Sequence, residues 1–133
     1  LTSVARDDLP DHGASLFVTT INEIRKIDPR IQIEVLTPDL WGGGKNFHDR
    51  NKLQKERLKK ILDQRPICFN HNLETVERLQ KEVRRGANYK NSISLLEKAK
   101  SIGVGGLNSY YSLSHRSEYP YARIENLPDF NES

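Results

Sequence analysis

At 133 residues the chain is long enough for one domain with a buried core, and at 35% hydrophobic and 29% charged residues its composition is that of a rather polar globular protein. No apolar run approaches the roughly 18 to 20 residues a spanning helix needs, and the start Leu1-Thr2-Ser3-Val4-Ala5 lacks the basic segment of a secretory signal. The formal charge of +3 permits acidic partners without requiring them, and the single cysteine, Cys68, excludes a disulfide framework or a multi-thiolate metal site built by this chain alone.

The chain contains no methionine, and it opens on an apolar-then-polar step like the end of a strand. It therefore looks like a piece of a longer protein. Residues 1–4 are expected to finish that strand, and residues 6–13 are too polar and too rich in turn formers to be anything but a loop. From Ser15, the residues Phe17, Thr20, Ile21, Ile24 and Ile27 fall at helical spacing, and Asp28-Pro29 stops the helix. Ile31, Ile33 and Val35 then alternate with Gln32 and Glu34, which predicts a strand running through Leu36 to the Thr37-Pro38-Asp39 break.

Strand, helix and strand with short joins make a crossover unit, and the pattern repeats. After the glycine-rich loop at residues 42–44 a helix is expected over 49–62, with Leu53, Leu58, Ile61 and Leu62 inward among lysines and arginines. Asp49, Glu56 and Asp63 interleave with those cations at helical spacings, so a solvated face with ion pairs is favoured over a nucleic-acid surface. Ile67, Cys68 and Phe69 read as a short buried strand in which Cys68 behaves as a small hydrophobe. Asn70, His71, Asn72 and Glu74 then crowd polar side chains into the turn before a helix expected over 73–83, with Val76, Leu79 and Val83 inward. A last helix begins at Asn91, with Ile93, Leu96, Ala99 and Ile102 on one stripe, and Gly103 ends it. Residues 103–133 carry several tyrosines but no sustained period, and are expected to be irregular. The runs Gly42-Gly43-Gly44-Lys45 and Gly103-Val104-Gly105-Gly106 lack the spacing or the preceding strand that a phosphate loop needs.

The polar cluster at residues 70–74 has the form of a binding site in an α/β fold, where ligands sit at the carboxyl ends of parallel strands. Its flanks carry a resemblance. Residues 1–14 (Leu-Thr-Ser-Val-Ala-Arg-Asp-Asp-Leu-Pro-Asp-His-Gly-Ala), 33–40 (Ile-Glu-Val-Leu-Thr-Pro-Asp-Leu) and 69–76 (Phe-Asn-His-Asn-Leu-Glu-Thr-Val) resemble three successive blocks of the lipoyl synthases, in the same order. Residues 83–89 and 94–96 are similar to the segment that follows, so the resemblance covers residues 1–102 and leaves 103–133 unmatched.

That family implies a partial (β/α) radical S-adenosylmethionine barrel, of which this chain would supply about three parallel strands with their helices. It also implies insertion of two sulfurs into an octanoyl chain on a lysine of a lipoyl carrier protein or domain, using S-adenosylmethionine and two 4Fe-4S clusters. Carried across residue by residue, Thr2, Ser3, Arg6 and Asp7 would face the amino acid part of S-adenosylmethionine, and Asn70, Asn72 and Glu74 its ribose. Asn72 and Glu74 rank first, and Asp39 is either a further contact or a turn residue. Both cysteine triplets of the family are absent, so the chain by itself is expected to be inactive. The family's next strand is missing after Ile102, and Arg116-Ser117-Glu118-Tyr119 matches its C-terminal serine motif only by chance. The alternative is a noncatalytic S-adenosylmethionine or adenosine-binding module, with a nucleic-acid-binding protein behind it. Family membership further implies a cytoplasmic location, an organellar matrix or plastid being equally reducing. An open sheet implies unpaired edges that invite self-association.

Overall fold

A computed structural model describes residues 1–83, 88–102, 109–112 and 121–126. The fold is mixed α/β, with α1 (Ala14–Ile27), β1 (Glu34–Leu36), α2 (Phe47–Leu62), β2 (Cys68–Asn72), a 3-10 turn (Glu77–Leu79), α3 (Gln80–Val83), α4 (Tyr89–Ile102), β3 (Ser109–Ser112) and β4 (Tyr121–Asn126). The sheet order is β1-β2-β4-β3. Among the described residues, no helix is long and apolar enough to cross a membrane.

The parallel pair β1 and β2 is in the register Glu34 with Cys68, Val35 with Phe69 and Leu36 with Asn70. Because side chains alternate across a strand, Val35 and Phe69 share one face, and both are buried with Phe17 and Ile21 of α1, Leu58 and Ile61 of α2, and Leu95 and Leu96 of α4. The helical stripes read from the sequence account for most of this core. Thr20 and Ile27 depart from it: both are exposed, because at 3.6 residues per turn they fall to one side of the line through Phe17, Ile21 and Ile24.

Three further expectations need correction. The first strand is reduced to a single parallel bridge, Thr2 with Leu36, supported by Leu36 N donating to Leu1 O at 2.9 Å. Among the described residues two named strands, rather than about three, therefore run parallel. The helix expected over 73–83 starts later, as the 3-10 turn and α3, and Val76 is exposed. Its delay has a local cause: Glu74 is left-handed (φ 63°), Thr75 N bonds back to Leu73 O at 2.7 Å, and the chain must leave this tight turn before it can wind. The segment after Ile102, expected to be irregular, contributes β3 and β4, which pair antiparallel with one another, while β4 also pairs antiparallel with β2 from Cys68–Glu125 to Asn72–Tyr121. The sign in the sequence was weak: Tyr110, Tyr111, Tyr121 and Ile124 favour strands, but no sustained period accompanies them. The expectations for Val83, Gly103 to Gly106 and Arg116 to Tyr119 lie outside the described residues or side chains.

Asp11 anchors the start of α1. Its carboxylate accepts from Gly13 N at 3.2 Å, from Ser15 N at 2.8 Å and from Ser15 Oγ. Burial opposes ionisation of this group, but the bonds from Ser15 and Gly13 outweigh it, and the carboxyl titrates below its ordinary value. A carboxyl whose pKa is depressed on folding stabilises the protein above its unfolded pKa and loses that contribution as pH falls through the folded one. Asp11→Ala is thus expected to cost about 1 kcal/mol near neutral pH, the usual magnitude for a lost helix cap. In urea titrations at several pH values the gap between parent and variant should close below the ordinary carboxylate pKa. A gap that persisted at low pH would contradict the assignment.

Candidate functional site

Parallel strands place their following loops at one end of the sheet. Here three loops gather there: residues 3–13 after the Thr2 bridge, 37–46 after β1, and 73–76 after β2. Thr2, Leu36 and Asn70 form one row across the sheet. Alternation puts that row, with Cys68 and Asn72, on the face opposite Val35 and Phe69 and so opposite the helices.

The strand β2 extends further than the apolar run that announced it, and Asn70, His71 and Asn72 belong to it rather than to a turn. Asn70 and His71 are buried because their polar atoms are partnered. Asn70 Nδ2 donates to Glu34 Oε1 at 2.6 Å and to Val35 O at 3.3 Å, fastening β2 to β1. Cys68, buried as expected, lies with Sγ 3.6 Å from Asn70 Oδ1. His71 points to the helix side, with Nδ1 2.9 Å from Thr37 O and Nε2 3.0 Å from Ser92 Oγ of α4. A carbonyl can only accept, so Nδ1 donates to Thr37 O, and Nε2 shares a hydrogen bond with the Ser92 hydroxyl. Asn72 is half-buried at the end of the strand, and Glu74 is exposed in the turn beyond it. That turn is held from behind by Gln80, whose Nε2 donates to Leu73 O at 2.8 Å and to Thr75 O at 3.2 Å.

In the 3–13 loop, Thr2 and Ser3 are exposed, and Arg6 forms a two-point ion pair with Asp8 at 2.8 and 2.6 Å. The Arg6 guanidinium holds the Asp8 carboxyl below the usual carboxylate range. Asp7 reaches His12, with Oδ1 3.0 Å from Nδ1. His12 is buried at φ 53° and abuts Gly42: a Cβ at Gly42 would come within 2.4 Å of His12 Cε1, so only glycine permits the two loops to approach this closely. Asp39 serves its turn, accepting from Trp41 N at 3.2 Å.

Two buried residues of α2 hold these loops, and neither was foreseen. Gln54 Nε2 donates to Asp39 O at 2.7 Å, and its Oε1 accepts from Lys98 of α4. The Lys98 ammonium lies 5.8 Å from the centre of the Trp41 ring, and burial lowers its pKa. Arg57 is 4% exposed and donates to Leu40 O at 2.8 Å, Gly42 O at 2.9 Å and Pro10 O at 3.1 Å. The signal was present in the sequence: Gln54, Arg57 and Ile61 stand at i, i+3 and i+7, on the stripe that becomes the core face. Between the two loops lies a hollow of about 600 Å³, walled by residues 7–10 and 12, by 41–43 and by Arg50.

No family model matches the chain. Over 102 residues, 77% of this chain, it is 89% identical to lipoyl synthase 2 of Prochlorococcus marinus subsp. pastoris. The chain is homologous to the lipoyl synthases. A lipoyl synthase 2 from another Prochlorococcus marinus strain is 62% identical over 102 residues, and the lipoyl synthase of Histophilus somni 46% identical over 102 residues, again 77% of this chain. The chain spans about a third of the length of the curated relatives it matches, 34% of the first and 33% of the second. Among the described residues no group of three or more His, Cys, Asp or Glu side chains is arranged to hold a metal ion.

The His71 bond is the testable part of this scaffold. Ser92→Ala removes the hydroxyl on Nε2 and is expected to lower the unfolding free energy by about 1–2 kcal/mol, the cost of a lost buried hydrogen bond. Equal urea midpoints for parent and variant would show that the bond contributes nothing.

Proposed function

We propose that this chain carries the strand-end loops with which a lipoyl synthase binds S-adenosylmethionine, as part of an enzyme that inserts sulfur into octanoyl groups on a lipoyl carrier protein. The observation that carries the reading is the 89% identity over 102 residues to a lipoyl synthase. The gathering of the 3–13, 37–46 and 73–76 loops at one end of the parallel strands supports it, since that is where α/β folds bind ligands.

The residues at that end suit S-adenosylmethionine. Asn72 and Glu74 offer a carboxamide and a carboxylate at the end of β2, groups that together can accept from and donate to a ribose diol. Asp7 and Arg6, with Thr2 and Ser3 beside them, carry the opposite charges that the ammonium and carboxylate of the amino acid end require; Arg6 pairs with Asp8 and Asp7 with His12, so the ligand would exchange with those partners. Asn70 acts one step back, its amide spent on Glu34 and Val35. In such an enzyme the bound S-adenosylmethionine is the source of the radical that starts the reaction, and these side chains orient it.

The iron-sulfur clusters of the family do not fit this chain. A cluster is held by several cysteine thiolates, and the only cysteine is Cys68, buried in β2 against Asn70. On this reading the chain supplies side chains for S-adenosylmethionine and no set of cluster ligands.

Equilibrium titration with S-adenosylmethionine tests the reading. Saturable binding is expected, weakened about tenfold, or about 1.4 kcal/mol, by Asn72→Ala or Glu74→Gln in folded protein. Absence of saturable binding, or affinity unchanged in both variants, would overturn it.

A further inference from the structure

Arg57 is a cation almost sealed from water, and its guanidinium spans two loops. Nη1 donates to Leu40 O and Gly42 O of the loop after β1, and Nη2 to Pro10 O of the loop after the Thr2 bridge. These loops are otherwise joined by contact of Gly42 with His12, which in turn holds Asp7. A planar fork with fixed N–H directions can satisfy carbonyls from two backbones at once, which a lysine does with less constraint. Burying a charge this way is costly unless it is well bonded, and an apolar residue on this stripe would serve the core alone.

We propose that Arg57 is a positioning residue of the S-adenosylmethionine site, locking the 3–13 loop to the 37–46 loop so that Arg6 and Asp7 are held in place for the ligand. The proposal rests on the functional reading above. Arg57 itself touches no ligand: it acts through Pro10 on one side and through Leu40 and Gly42 on the other.

The test compares the parent with Arg57→Met and Arg57→Lys by amide hydrogen exchange and by S-adenosylmethionine titration. In Arg57→Met, amides of residues 8–14 should exchange about tenfold faster while those of β2 and α4 keep parental rates, and affinity should fall about tenfold. Arg57→Lys should recover part of both losses, a rescue that simple loss of packing would not give. Parental exchange in the 8–14 segment of Arg57→Met, or parental affinity despite a loosened loop, would overturn the proposal. If Arg57→Met does not fold, Arg57→Lys carries the test alone: it must show faster exchange in residues 8–14 and weaker affinity than the parent, each by less than tenfold, and parental values of either would overturn the proposal. Failure of the parent itself to bind S-adenosylmethionine would instead overturn the functional reading, while the exchange comparison still decides whether Arg57 holds the loops.

Discussion

Val35 and Phe69 lie opposite one another in the parallel pair of β1 and β2, and α1, α2 and α4 seal both from water. That one register has two consequences. A slip of one residue would turn Asn70 toward the helices and Phe69 away from them, so burial of the two apolar residues also decides which side chains of β2 face the other way. Parallel pairing then brings the ends of the strands into line, and the loops carrying Arg6, Asp7, Asn72 and Glu74 emerge together. Core and site are two faces of the same pairing.

The loops are polar, and polar loops need partners if they are to hold a shape. Here the partners come from the helices behind the sheet. Arg57 and Gln54 of α2 take up carbonyls of the loops, Lys98 of α4 closes on Gln54 and the Trp41 ring, and Ser92 of α4 meets His71. The inner faces of α2 and α4 accordingly combine apolar core residues with polar ones that meet the loops and β2. A left-handed backbone at the non-glycine residues His12, Leu40 and Glu74, one in each loop, fits the same picture of loops held by contacts rather than by their own propensities.

How much of this was legible depends on the kind of force involved. The stripes of α1, α2 and α4 follow from a period of 3.6 and were readable to within a few residues, as were the cores of β1 and β2. The blocks at residues 1–14, 33–40 and 69–76 pointed to the lipoyl synthases, and the comparisons agree. Burial of polar residues was not legible. Asn70 and His71 looked like turn residues because a strand is recognised by apolar side chains, and their partners, Glu34, Thr37 and Ser92, are from 21 to 36 positions away. Arg57 was counted with the solvated lysines for the same reason: its place on the stripe of Gln54 and Ile61 was visible, but a stripe position alone does not tell a cation that will meet three carbonyls from one that will meet water. Antiparallel pairing of β4 with β2 was only weakly signalled, since no sustained period marked it.

The central claim is that the carboxyl ends of the parallel strands form the ligand-binding edge of this chain. It is tested most directly by the backbone amide resonances of the protein during titration with S-adenosylmethionine. The account predicts shifts concentrated in residues 2–8 and 72–76, with the outward face of α2 unmoved. Shifts centred on the lysines of α2, or none at saturating ligand, would contradict it.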